Sequence, residues 1–309
     1  MKRILPITLW IFIILASCAD FEEFIDYTLQ EPEIKLCLSG YVCPDSTYIM
    51  LSLNNYYLID SVAWSHRANI IAGDIATVVL FEDGVFFDTL QPQSRQIWDS
   101  YEDAYTAENY YVSHKPTTLG STYTVYAQHG DYNEISAETL LPLAVPIQSY
   151  YVERMDSEYG IFFLYYINIH DTPIVNNFYI LPKRVEINGS NNYSLQADPI
   201  FENYSSIFNF QGNFTNYVFF SDKLIQGNNF SVMYLLFFEL TENIPIGLQA
   251  LTLYSTSEDY YKYDKSRLIK ENSQFDANSN PVTIYSNVVG GYGIFVGFSK
   301  STIGVSFGE

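Results

Sequence analysis

The chain has 309 residues, of which 48% are apolar and only 16% charged, a balance that excludes a disordered or coiled-coil protein. That length allows one large domain or two smaller ones. Its 15 Lys and Arg against 35 Asp and Glu give a net charge of −20, a surface that repels phosphate backbones and argues against nucleic acid as a partner. The 28 Tyr and 22 Phe favour pleated, half-buried surfaces.

The first element is an address. Lys2 and Arg3 form a positive start, and an apolar stretch runs from Ile4 to Ala16. It is shorter than the roughly 20 residues that span a bilayer, so residues 1–17 are expected to be a signal peptide. Leu15-Ala16-Ser17-Cys18 resembles the bacterial lipobox, whose small residues let the peptidase reach the bond before an acylated Cys. The mature chain would begin at a lipidated Cys18 and sit on the outer membrane through several acyl chains, where one alone would hold weakly. The alternative is an ordinary secretory signal with Cys18 near its cut. Residues 18–30 follow as an acidic tether with Asp20, Glu22, Glu23 and Asp26. Acids at this place resemble the Bacteroidota signal for export to the outer face; a plain solvated linker is the other reading.

From Glu31 the pattern is strand and turn. Residues 34–42 alternate, and 47–53 read as their hairpin partner. Residues 76–90 form the clearest hairpin, because Asp83-Gly84 supplies the positive φ angles of a tight turn between two apolar runs. Residues 122–128 alternate again, and a further strand runs toward Leu141. Pro142 and Pro146 then interrupt the pattern, which places a domain boundary near 145. Residues 31–145 are expected to be an immunoglobulin-like sandwich, and 146–309 an aromatic-rich β domain. Within the latter, strands are expected at 159–169, 177–181, 208–220, 230–240 and 247–253. Ser255 and Glu258 read as a capping box opening a helix near 256–270, with acids at its start and Lys or Arg at its end. The chain closes with a strand, a Gly-rich turn and another strand over 281–298. The expected fold class is mainly β: two antiparallel β-sandwich-like domains with one short helix near the C-terminus.

Candidate chemistry is sparse. Cys37 and Cys43, on one extended strand, would stand about 20 Å apart, too far for a disulfide unless the chain reverses at Pro44-Asp45 or before it, and read as small buried apolar residues. His66, His114, His129 and His170 show no metal-binding spacing. Asp276-Ala-Asn278-Ser-Asn280 alternates oxygen ligands like a calcium loop, but Pro281 replaces the needed Gly and Asn287 the closing Glu, so it reads as a polar loop. Gly290 to Gly293 lies between strands and offers no helix N-terminus for phosphate. Trp98 to Tyr111 reads as a long polar loop; its alternative is a carbohydrate platform built on Trp98, Tyr101, Tyr105, Tyr110 and Tyr111, beside the carboxylates Asp99, Glu102 and Asp103. No catalytic residue, metal ligand or cofactor is assigned.

The closing segment NPVTIYSNVVGGYGIFVGFS, residues 280–299, resembles the end motif of the domain-of-unknown-function 4249 family of Bacteroidota outer-membrane lipoproteins. The lipobox, IKLCLSGYV at 34–42, the strand with its Asp-Gly turn at 76–84 and TYTVYA at 122–127 agree in order. So do TLLPLAVPI at 139–147, VFFSDKLIQG at 218–227 and SEDYYKYDKS at 257–266. In the end motif Tyr285, Ser286, Asn287, Gly291 and Gly293 match and read as structural: the glycines permit a tight turn and Asn287 binds nearby backbone. The resemblance implies a lipid-anchored outer-membrane protein, often encoded beside TonB-dependent receptors. The expected function is therefore a non-catalytic, surface-facing accessory that helps such a receptor capture a nutrient or glycan ligand. A stand-alone glycan- or protein-binding adhesin is the second expectation, and an enzyme the third.

Overall fold

The computed structural model describes residues 34–53, 76–99, 103–130, 132–158, 160–170, 178–182, 184–187, 190–196, 217–222, 229–239, 247–273 and 283–307. Eight strands come first: β1 Leu36–Cys43, β2 Ser46–Leu53, β3 Ala76–Glu82, β4 Val85–Thr89, β5 Gln91–Asp99, β6 Ala104–Ser113, β7 Thr122–His129 and β8 Ile135–Leu140. After the prolines follow β9 Ile147–Asp156, β10 Gly160–Ile169, β11 Phe178–Pro182, β12 Arg184–Ile187, β13 Ser190–Gln196, β14 Tyr217–Ser221, β15 Phe230–Glu239 and β16 Gly247–Thr256. Helix α1, Glu258–Ser273, then leads to β17 Val288–Val289 and the long β18 Tyr292–Phe307.

An eight-stranded sheet, in the order β14-β11-β16-β18-β1-β2-β6-β5, runs through the molecule. Two five-stranded sheets, β17-β8-β7-β3-β4 and β12-β13-β15-β10-β9, pack against its two ends. The protein is mainly β, with antiparallel sheets in a sandwich-like arrangement and a helix near the C-terminus. Alternation explains the layering. In β1 the even positions Leu36, Leu38 and Val42 are buried while Ser39 is exposed, the period-2 signature of a sheet with one covered face.

One core joins Leu38, Ile49 and Leu51 to Val78, Leu80, Val125 and Ala137 across the sandwich, with Phe295 of β18 among them. The other gathers Ile147, Ile167 and Ile169 against Tyr179, Phe220, Val232 and Leu253, with Ile303 of β18 packed alongside. Each such aliphatic side chain contributes about 1.5–3 kcal/mol on burial.

β18 belongs to both sandwiches. Its residues Tyr292 to Gly297 pair with β1 in parallel, and Phe298 to Phe307 pair with β16 antiparallel. The expected N-terminal unit of 31–145 is thus not self-contained, because β17 pairs with β8 and the start of β18 pairs with β1, completing both of its sheets. A parallel pairing needs a long connection, so a strand from the far end of the chain can take this place where a neighbour cannot.

The tight turn between β3 and β4 has positive φ at Asp83 (48°) and Gly84 (79°), as the Asp-Gly pair predicts. Three local expectations are corrected. Residues 98–99 and 104–111 are strand rather than loop: β5 and β6 pair in register from Gln91–Val112 to Asp99–Ala104. The helix begins two residues late, because Ser255 lies in β16 with its hydroxyl accepting the Val145 N–H at 3.1 Å. Ser257 caps it instead, its hydroxyl accepting the Tyr260 N–H at 3.3 Å. Cys37 and Cys43 are free thiols, half-buried at the odd positions of β1, opposite the core face. The calcium-like segment 276–280 lies outside the described residues.

Candidate functional site

The outward face of the eight-stranded sheet carries a row of aromatic rings. Tyr41 of β1 stands directly opposite Tyr48 of β2 in the register, and Tyr48 opposite Val112 of β6, two residues from Tyr110. Tyr41 and Tyr48 stack with ring centres 5.4 Å apart and planes 15° apart; Tyr48 and Tyr110 stack at 4.8 Å and 29°. On the other side Tyr41 meets Phe298 of β18 at 5.3 Å, and Phe298 meets Tyr254 of β16 edge to face at 6.0 Å. Each contact of this kind adds about 0.5–1.5 kcal/mol beyond burial. At Tyr254 the row runs under the helix, since Tyr254, Tyr260 and Tyr261 pack on buried Phe219.

Its other end opens into a cleft of about 260 Å³ lined by Tyr41, Ser46, Tyr48, Gln93, Arg95, Tyr110, Val112 and His114. The β5–β6 register sets Arg95 opposite Glu108, and the two form an ion pair. The same guanidinium lies over the rings of Tyr48 and Tyr110, 5.7 and 5.6 Å from their centres. The Tyr48 hydroxyl donates to Glu108 at 3.2 Å, and the Tyr110 hydroxyl to Gln93 Oε1 at 3.0 Å. Burial, with the Glu108 charge second, pushes the Tyr48 hydroxyl up to about 12, so it remains a neutral donor at neutral pH. The Arg95 guanidinium is held still more firmly in its charged form by its hydrogen bond to Glu108. Among the described residues no group of three or more His, Cys, Asp or Glu is placed to hold a metal ion.

Leu15, Ala16, Ser17 and Cys18 lie outside the described residues. The end motif is bound tightly into the fold. Asn287 Nδ2 donates to the carbonyls of Glu138 (2.9 Å) and Phe295 (2.7 Å), while its Oδ1 accepts the Phe295 N–H at 2.9 Å. The Tyr285 hydroxyl donates to Asp259 at 2.6 Å, fastening the segment to α1, and Ser286 Oγ accepts the Val288 N–H. Gly293 has φ 115°, and a methyl on it would collide with the Leu38 carbonyl. Gly291 is not a positive-φ residue of the turn; a side chain there would strike the Leu36 carbonyl, so close approach of β1 is what requires glycine.

The expected aromatic platform is divided. Trp98 and Tyr105 are exposed cross-strand partners with ring centres 5.1 Å apart, Tyr111 is buried in the core, and Tyr110 faces the cleft. Tyr101 and Glu102 lie outside the described residues, and Asp103 sits at the hairpin turn with φ 51°. Sequence reading passed over Tyr41, Tyr48, Gln93, Arg95 and Glu108. Their signal was the outward-facing phase of β1, β2, β5 and β6, which becomes a site only once the four strands are placed in register.

Fold and cleft together define a β-sandwich protein whose closing strand joins two sandwiches and whose central sheet carries an open aromatic cleft. The chain belongs to the family described as domain of unknown function DUF4249, whose model matches residues 22–303. A search of curated proteins gave no match.

Proposed function

We propose that the protein is a lipid-anchored outer-membrane lipoprotein of the Bacteroidota type, facing the cell exterior, and a non-catalytic partner of a TonB-dependent receptor for which it captures ligand. The observation that carries this reading is Leu15-Ala16-Ser17-Cys18 closing a short apolar stretch behind Lys2 and Arg3. Acylation at Cys18 supplies the several chains that stable anchoring needs. The acidic residues of the 18–30 tether support an outward-facing position, and the family resemblance supports the receptor as partner. No cofactor is assigned to this role.

A stand-alone glycan- or protein-binding module is the second reading, favoured by the aromatic cleft on the central sheet. Lipidation is tested by replacing Cys18 with Ala in cells fed labelled palmitate. Loss of label and of outer-membrane fractionation is expected. Retention of both in the variant would overturn the anchor and the reading built on it.

A further inference from the structure

We propose that the cleft between Tyr41, Tyr48, Tyr110 and Arg95 binds a single uncharged sugar unit of a glycan. This rests on the ligand-capture part of the reading above, and adds to it a site and a ligand class.

Along the aromatic row, α1 covers the β16 end, and the β1-β2-β6 end is where the sheet opens into a cleft. Arg95 stands there, ion-paired to the mostly buried Glu108, with more than half of its own side chain exposed.

Stacking of Tyr41 on Tyr48 and of Tyr48 on Tyr110, with the Arg95 guanidinium over the latter two, takes up much of their ring face. Flat stacking of a nucleobase or other aromatic ligand is therefore disfavoured, while Val112 gives the lining an aliphatic patch. Arg95 uses its Nε–H on Glu108, and its side chain is 55% exposed, leaving the terminal N–H groups as donors. Gln93 accepts from Tyr110 through Oε1, which fixes its amide plane and leaves its NH₂ as a further donor. Ser46 adds a hydroxyl that can give or take a hydrogen bond. Donors grouped around a lining of aromatic side chains and Val112 suit a ring whose hydroxyls project around its rim.

Glu108 neutralises Arg95 in place, so the cleft presents donors without a net positive field. A chain of net charge −20 repels an anion approaching it. An uncharged ligand does not meet that penalty. The volume of about 260 Å³ lies just under the usual range for pockets that take drug-sized molecules, which fits one sugar unit rather than a long chain segment.

The test is calorimetric titration of the full-length acylated protein in detergent with malto-, cello-, laminari- and mannohexaose, and with the oligogalacturonate of equal length. At least one uncharged oligosaccharide is expected to bind. Arg95→Ala is expected to weaken it by about tenfold or more, and Gln93→Ala to weaken it less. Trp98→Ala, on the same hairpin outside the cleft, is expected to leave it unchanged. Gln93 is an exposed edge-strand side chain, so its variant reports on the cleft even if Arg95→Ala folds poorly. The proposal is overturned if no uncharged oligosaccharide binds up to about 10 mM, if only the oligogalacturonate binds, or if binding survives both substitutions. Co-purification of a receptor barrel, followed with the same variants, separates this proposal from the receptor reading. A variant blind to sugar that still retains the barrel leaves the partnership standing, and sugar binding without any barrel leaves the cleft standing.

Discussion

Single residues at the close of the chain fix how the closing strand joins the first sandwich. Asn287 spends its whole amide on backbone, holding β8 and β18 together through Glu138 and Phe295. Two strands along, Gly293 lets β18 lie against β1 because it has no Cβ to meet the Leu38 carbonyl, and its φ of 115° is open only to glycine. A Gly293→Ala variant carries both penalties, backbone strain and collision with main chain, neither of which a side-chain rotation relieves. It is expected to lose about 3 kcal/mol or more of stability, read as a fall in the urea midpoint at unchanged slope. A loss below about 1 kcal/mol would show that the parallel β1–β18 pairing does not need this glycine.

At the scale of elements, what could be read from the sequence was local. The β3–β4 hairpin was legible because Asp83-Gly84 announces its own backbone angles, and β1 because Leu36, Leu38 and Val42 alternate with polar or small residues. The β5–β6 hairpin was hidden, since Gln91 to Asp99 is an exposed polar edge strand without an apolar face to mark it. The helix start slipped because two serines compete for the cap, and only tertiary structure shows that Ser255 is already bound to Val145. The cleft was illegible for a related reason: its residues come from β1, β2, β5 and β6, and spacing along the chain does not reveal their register. The return of β18 to β1 is the least local feature of all. From it follows a prediction about fragments. Residues 31–145 alone lack β17 and the first half of β18, so they leave an edge of each sheet and part of the Phe295 core open. That fragment is expected to show no cooperative urea transition by circular dichroism, whereas a sharp transition would make the first sandwich independent of the closing strand.

On the scale of the whole molecule, three properties bear on one role. The lipobox-like Leu15-Ala16-Ser17-Cys18 supports the proposed membrane anchor, the net charge of −20 disfavours anionic ligands, and the cleft on the central sheet offers the proposed place for a small neutral one. A sandwich pair locked by a shared strand is a stiff scaffold for such a cleft, because Tyr41, Tyr48 and Tyr110 sit on paired strands rather than loops. The partnership with a receptor is the central claim, and the most direct measurement is a gentle-detergent pull-down of the tagged, acylated protein from its native outer membrane, with mass spectrometry of what accompanies it. A TonB-dependent barrel is expected in near-stoichiometric amount. Recovery of the protein without any barrel would overturn the proposed partnership.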